Sequence, residues 1–198
     1  MSIDFSNWQV TPTHSVSDFR LPLSLEQKID VFFERTDGWQ LQIADRIING
    51  VTDKNGVFLG PSETSYAVLS IAFSFFEAVA KYEDGYVDIH ETEHYFKQGV
   101  RSLFPEIDAY PELLDILYKH VRCGLYHFGF TNPRVFIRDD FKAAMAFTKE
   151  RRLVINPIIL ILKLREYLKC YVEMLRDAKN TTARANFEKR FDFLNECT

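Results

Sequence analysis

The sequence predicts a mainly α fold, a helical bundle of about five or six helices with a small β-hairpin before the long C-terminal helix. Apolar residues recur at helical spacing along most of the chain, and capping residues or prolines precede these runs. Only residues 134–155 change to short β-branched and aromatic pieces. A chain of 198 residues is one domain in length, so we expect a single domain over residues 1–198.

The N-terminal part of the chain predicts an arm and one long helix. Residues 1–22 are irregular, and we expect them to lie on the domain. Ser24 and Gln27 form a capping box that opens a helical pattern. Gly38 is expected to bend this helix and Gly50 to end it.

The next helix is predicted to be central and buried. It follows a loop over residues 52–61 that contains the turn signal Asn55-Gly56. Ser62 is the expected N-cap, and the helix extends to about Tyr82. Its faces are apolar all round, which is typical of a helix surrounded by others.

Two further helices are expected in the middle of the chain. The first is short and covers residues 88–101. The second starts at Pro111, runs to about His127 and is followed by Gly129, a residue that favours a helix end.

The C-terminal part predicts the hairpin and two helices. The hairpin strands come from residues 134–137, 144–148 and 153–155, with a turn at 149–151. Asn156 and Pro157 are typical of a helix start, here of a helix reaching about residue 178. Either Thr181 or Thr182 is expected to cap the last helix, and the sequence does not decide between the two.

Composition excludes several classes of protein. The chain has 24 Lys+Arg and 28 Asp+Glu, a net charge of −4, which argues against a polybasic coat for nucleic acids. The longest apolar stretch, residues 66–80, is short and interrupted, so neither a transmembrane helix nor membrane binding is predicted. The N-terminus lacks a signal peptide pattern. The three cysteines are widely spread and suit a reducing compartment, so we predict a cytoplasmic protein.

One motif matches a zinc-hydrolase pattern. His90, Glu91 and His94 form H-E-x-x-H, which on a helix would place both histidines on one face and the glutamate beside a metal-bound water. No glycine-histidine extension supplies a third ligand, which leaves Glu112 or Asp115 for that role, and the accompanying sheet is missing. An acidic helix start, favoured by the helix dipole, explains the residues better. The zinc hydrolase is therefore the third hypothesis, after the two described below for the helix from Pro111. We predict no metal or other cofactor.

The helix from Pro111 carries the second candidate site. Its apolar stripe is predicted to comprise Leu114, Leu117, Val121 and Leu125. The opposite face carries Lys119, Arg122, Cys123, Tyr126 and His127. A mixed polar and aromatic face of this kind suits a site or a partner surface.

In its order of motifs, the chain resembles the HEPN superfamily (higher eukaryotes and prokaryotes nucleotide-binding domains). The resemblance covers residues 62–178 and rests on Phe75-Phe76-Glu77-Ala78, Gly99 with Phe104-Pro105, the R-x4-H motif from Arg122 to His127, and the helix opened by Asn156-Pro157. It implies a helical bundle that dimerises through the motif helix to form one composite site. Many members resemble metal-independent endoribonucleases of toxin–antitoxin or defence systems, and others only bind.

The resemblance assigns roles to the motif residues. His127 would be the general acid/base for attack of an RNA 2′-hydroxyl on the adjacent phosphate, and Arg122 would hold that phosphate. It implies a homodimer, an RNA substrate and a cognate antitoxin or nucleotidyltransferase partner. Cys123 departs from the polar residue that nuclease members usually carry there, so the alternative is an inert module that binds RNA, a nucleotide or a protein.

Several residues are candidates for supporting roles. Glu77 lies in the most apolar helix and is expected to pair with Arg122, with pairing to Lys81 or exposure to solvent as the alternatives. Tyr126 would supply a hydroxyl or pack. An RNA-binding lip or a solvated hairpin face would be formed by Arg134, Arg138, Lys142, Lys149, Arg151 and Arg152.

Overall fold

A computed structural model describes residues 7–148, 150 and 152–196, and they form a mainly α domain as predicted. π-helical turns at Asp37–Leu41 and Leu117–Arg122 join α1 to α2 and α5 to α6, so the described residues contain six continuous helices. The helices are α1 (Leu25–Thr36), α2 (Gln42–Ile48), α3 (Pro61–Asp84), α4 (Thr92–Leu103), α5 (Pro111–Ile116), α6 (Cys123–Phe128), α7 (Pro157–Arg176) and α8 (Thr181–Glu196).

Two small sheets accompany the helices. The strands are β1 (Val51–Thr52), β2 (Phe58–Leu59), β3 (Val135–Ile137), β4 (Met145–Phe147) and β5 (Leu153–Ile155). The predicted hairpin is confirmed, because β4 pairs antiparallel with β5. The prediction missed the parallel pairing of β3 with the other side of β5, which gives the order β3-β5-β4. The predicted loop 52–61 is partly wrong, since β1 and β2 pair across its Asn55-Gly56 turn.

α3 is the central helix, as its apolar faces predict. Phe73 and Phe76 of α3 are fully buried, and their rings pack on Phe96 of α4 at centroid distances of 5.8 and 5.7 Å. Gly99 brings α4 against the backbone of α3, because a Cβ there would lie 1.9 Å from the Phe76 carbonyl oxygen. None of the helices in the described residues is long and apolar enough to cross a membrane.

The helix ends follow local capping chemistry. Ser24 caps α1 as predicted, accepting a hydrogen bond from the Gln27 backbone N–H. Asn156 caps α7 as predicted, and its side-chain oxygen accepts from two backbone N–H groups. α3 begins at Pro61 instead of after Ser62, because Glu63 accepts a hydrogen bond from the Gly60 N–H at 2.9 Å.

Residues 7–22 of the predicted N-terminal arm contact α1, and residues 1–6 of that arm lie outside the described residues. One carboxylate oxygen of Glu34 accepts hydrogen bonds from the hydroxyls of Thr11 and Thr13, both at 2.5 Å, and lies 3.1 Å from Nδ1 of His14. Pro12 then passes so close to Gly38 that a Cβ there would lie 2.5 Å from its ring. Gly38 falls in the first π-helical turn, and the close approach of the arm explains why a glycine stands there.

The Glu34 contacts make the arm's attachment sensitive to acid. Burial raises the pKa of Glu34, but the hydrogen bonds from the arm lower it further, and the net pKa lies below its ordinary value. The carboxylate's contribution to stability is therefore present above about pH 4.5 and is lost as the pH falls through the lowered pKa. We expect the difference in free energy of unfolding between wild type and Glu34→Gln to shrink from pH 6 to pH 3. A pH-independent difference, measured by urea denaturation, would contradict this account of the arm.

Candidate functional site

The helix formed by α5, its π-helical turn and α6, here called the motif helix, buries the predicted stripe. Arg122 is the last residue of the π-helical turn, and the turn shifts the faces that follow it. The helix ends at Gly129 in a left-handed conformation, as predicted. The fully or nearly fully buried stripe residues are Leu114, Leu117, Val121 and Leu125.

Arg122 is held against α3 by an ion pair and two aromatic rings. Its Nη2 lies 3.2 Å from a carboxylate oxygen of Glu77, which confirms the predicted pair. The guanidinium carbon lies 4.6 Å from the ring centre of Tyr126 and 5.8 Å from that of Tyr118. Such contacts restrict the guanidinium and add cation–π attraction. The arginine is therefore placed before any ligand arrives.

Glu77 also pairs with Lys81, so two of the predicted alternatives hold together. Its second oxygen lies 2.8 Å from Nζ of Lys81, a side chain with only 4% of its surface exposed. Lys81 donates to the Ile89 carbonyl at 3.3 Å and lies 5.7 Å from the ring centre of Tyr95. The carboxylate thus bridges a buried lysine and the motif arginine, which ties the orientation of Arg122 to the core.

Removing the Glu77 charge is expected to destabilise the protein, because Lys81 would remain buried without its counter-ion. We expect Glu77→Gln to lower the free energy of unfolding by about 2 kcal/mol. Glu77→Gln combined with Lys81→Met is expected to recover most of that loss, since the buried charge is then gone. Chemical denaturation of the three proteins measures both effects. A double variant no more stable than Glu77→Gln alone would contradict the bridging role.

The residues beside Arg122 differ in what they offer. Burial raises the pKa of the Tyr118 hydroxyl. The neighbouring Cys123 thiol raises this pKa further, whereas the positive charge of Arg122 lowers it. Tyr118 therefore meets the guanidinium as a neutral ring at neutral pH. Tyr126 donates its hydroxyl to the Ser70 carbonyl on α3 at 3.4 Å, so its hydroxyl and ring both serve packing. Cys123 is half-buried.

His127 is exposed and has no hydrogen bond, ion pair or ring contact with Arg122. Among the described residues it makes no hydrogen bond or ion pair, and its ring centre lies 6.4 Å from that of Phe128. Phe128 and Phe130 next to it are 71% and 61% exposed. Five residues correspond to about 140° around a helix, so Arg122 contacts α3 while His127 lies on a different side. Within one copy, the described residues include no direct contact between the two motif residues.

The candidate RNA-binding residues divide into separate groups. The pairing of Val135 with Leu153 in parallel strands sets Arg134 and Arg152 side by side at one end of the sheet. Arg138 follows the other end of β3 and makes a bidentate ion pair with Asp140 at 2.9 and 2.5 Å. The exposed Lys142 lies in the segment that leads to β4, and the predicted residues Lys149 and Arg151 lie outside the described residues. The lip stays a prediction, because two of its six residues lie outside the described residues.

The H-E-x-x-H segment does not take the form that zinc hydrolysis needs. α4 begins at Thr92, so His90 precedes the helix and is exposed. Glu91 adopts a left-handed conformation, with a φ of 59°, at the N-cap. His90 and His94 consequently do not share a helical face. Within residues 7–148, 150 and 152–196, no group of three or more His, Cys, Asp or Glu could hold a metal ion.

Three comparisons with known proteins found no relative of this chain. No family model, curated protein or solved structure matches the chain. The candidate site therefore rests on its own geometry. Sequence reasoning missed Tyr118 and the exposed Phe128 and Phe130 as parts of it, although Tyr118 precedes Arg122 by four residues, the spacing at which helical side chains meet.

Proposed function

We propose that this chain is a homodimeric, metal-independent endoribonuclease of the HEPN type. In this proposal a site is completed by Arg122 of one copy and His127 of the partner subunit. The observation that carries it is the separation of the two residues on the motif helix. Arg122 is fixed on α3, whereas His127 is exposed and makes no hydrogen bond or ion pair with the described residues. In this proposal a second motif helix brings the two groups to one phosphate.

The proposed reaction uses only protein groups and the RNA itself. His127 takes the proton of a ribose 2′-hydroxyl, whose oxygen attacks the adjacent phosphorus. The bond from phosphorus to the 5′-oxygen breaks, and that oxygen takes the proton from the protonated His127, which returns to its neutral form. The products are a 2′,3′-cyclic phosphate and a 5′-hydroxyl. Because the nucleophile is held in the substrate, positioning and charge stabilisation supply most of the catalysis.

The fixed orientation of Arg122 suits the charge stabilisation that this reaction needs. A guanidinium has five N–H donors in a planar fork, and Glu77 takes one contact through Nη2. The remaining donors make no hydrogen bond with the described residues. They would bind the phosphate oxygens that gain charge in the transition state. Contact with the rings of Tyr118 and Tyr126 keeps the fork from reorganising during the step.

The exposed rings beside His127 favour an unpaired RNA substrate. Phe128 and Phe130 follow the histidine within three residues and are mostly exposed. Aromatic side chains stack on bases only where those bases are free of a duplex. We therefore propose single-stranded RNA as substrate. The toxin–antitoxin or defence setting, the antitoxin or nucleotidyltransferase partner and the cytoplasmic location belong to the same proposal.

A second candidate function, RNA binding without cleavage, is favoured by the immediate surroundings of Arg122. Cys123 offers only a weak hydrogen-bonding group next to the arginine. The Glu77 carboxylate also offsets the positive charge that a transition state would use. A site of this kind would hold a phosphate and leave it intact.

An assay of RNA cleavage in EDTA tests the proposal and separates the two candidates. The protein is incubated with an unstructured, end-labelled single-stranded RNA. We expect products that end in 2′,3′-cyclic phosphate and 5′-hydroxyl groups. Arg122→Lys, which keeps the charge and loses the fork, should still bind RNA and lose most of the cleavage. Binding without cleavage by the wild type supports the second candidate, and the absence of both contradicts both.

A further inference from the structure

The edge strand β4 has backbone groups that the domain leaves unpaired. Its inner side is satisfied by β5: the Ala144 carbonyl accepts from the Asn156 N–H, and the Thr148 N–H donates to the Arg152 carbonyl, both at 2.9 Å. In an antiparallel pair the backbone groups alternate in direction. Met145 and Phe147 therefore direct their N–H and C=O groups outward, where no described residue pairs with them.

An apolar cleft of about 430 Å³ lies beside this edge. A cavity of about 150 Å³ already holds a benzene ring, so the cleft has room for more than one apolar side chain. Its base includes the nearly fully buried Phe104 and Ile107, and Tyr110 lines it with more than half of its surface exposed. The other side is β4 itself, from Met145 to Thr148.

The lining of the cleft includes one charged residue, Glu106. Glu106 is exposed and lines it, and its carboxylate makes no ion pair or hydrogen bond with any residue that the structure describes. The neighbouring Asp108 is paired with Arg101 at 3.0 Å, so Glu106 is the carboxylate available there. A cationic group bound beside the apolar cleft would meet a complementary charge.

We propose that β4 and the cleft form a docking site for an extended segment of a partner protein. The segment adds to the sheet beside β4, with its backbone paired to Met145 and Phe147. It carries apolar side chains at alternate positions, which enter the cleft, and a lysine or arginine beside Glu106. This inference is independent of the proposed RNA cleavage, because none of its residues belongs to the motif site.

Other occupants fit the observations less well. A small apolar molecule would fill the cleft and leave the Met145 and Phe147 backbone groups unpaired. Pairing of two β4 edges from two copies would bring together two clefts that carry the same negative charge. An extended basic and apolar segment satisfies the backbone, the cleft and Glu106 together.

The test uses the hexapeptide Lys-Val-Thr-Leu-Thr-Val with fluorescein at its C-terminus, titrated with the full chain by fluorescence anisotropy. We expect saturable binding. Two versions of the probe are methylated on backbone nitrogens, one at residues 2, 4 and 6 and the other at residues 3 and 5. They separate strand pairing from nonspecific hydrophobic contact. One set should weaken binding about tenfold and the other less than twofold, because only alternate N–H groups face β4. Equal effects of the two sets would overturn the proposal.

A charge exchange tests the role of Glu106. Glu106→Lys should weaken binding of the lysine probe about fivefold and favour a probe that begins with glutamate. Glu173→Lys, on an exposed glutamate of α7 outside the cleft, is the matched control and should leave the affinity unchanged. No binding of the probe, or self-association of the chain through this edge that excludes it, would overturn the proposal.

Discussion

Replacement of His127 with alanine is expected to lower the rate of RNA cleavage by a factor of about 10²–10⁴ without changing RNA binding more than a few-fold. This range is what a positioned acid/base contributes. The exposed side chain makes no hydrogen bond or ion pair with the described residues, so its loss should not disturb the fold. Single-turnover rates in EDTA, together with anisotropy of labelled RNA, measure the two effects separately.

The matched control is His120→Ala on the same helix. His120 contributes its backbone carbonyl to a hydrogen bond from the Asn132 N–H, and that contact survives the substitution. Its rate should stay within about twofold of the wild type. Equal rates for His127→Ala and wild type would remove the histidine from the mechanism and favour the RNA-binding candidate.

Replacement of Gly99 with alanine is expected to lower the free energy of unfolding by about 3 kcal/mol or more. The added Cβ would lie 1.9 Å from the Phe76 carbonyl oxygen and 2.6 Å from its carbon, so α3 and α4 must separate. Separation also loosens the contacts of Phe96 with Phe73 and Phe76. In a chain of this size the loss corresponds to a melting temperature about 6–12 °C lower.

Gly60→Ala is the control for this substitution. A Cβ at Gly60 would meet nothing closer than 3.6 Å, and the residue has an extended backbone. Its cost should stay below about 1 kcal/mol, as expected for a helix N-cap. If calorimetry gives the two variants the same melting temperature, the close approach of α3 and α4 at Gly99 is wrong.

Local chemistry explains why the fold could be predicted from the sequence. The capping side chains of Ser24 and Asn156 act within four residues of their own positions, so their effect can be read from adjacent letters. The central place of α3 was also predictable, because apolar residues on all its faces can be recognised in one continuous segment of sequence. The strand at β3 was predicted but its parallel pairing with β5 was not, because that pairing joins segments separated by a crossover of chain.

The candidate site was predictable only in part. The pairing of Glu77 with Arg122 followed from the cost of burying a carboxylate alone. Its second contact, with Lys81, was one of the alternatives, and the sequence offered no reason to expect both at once. A regular 3.6-residue period could not predict the π-helical turn that ends at Arg122, although the apolar stripe predicted from that period is buried on both sides of it.

The most direct test of the central claim combines Arg122→Ala and His127→Ala in one dimer. The two variants are co-expressed with different tags, and the mixed dimer is isolated. If Arg122 acts with His127 of the partner subunit, the mixed dimer has one intact site and one without either group. Our account predicts about half of the wild-type cleavage rate, whereas each variant alone cleaves about a hundredfold more slowly or worse. A mixed dimer as inactive as its parents, or a chain that cleaves RNA as a monomer, would contradict it.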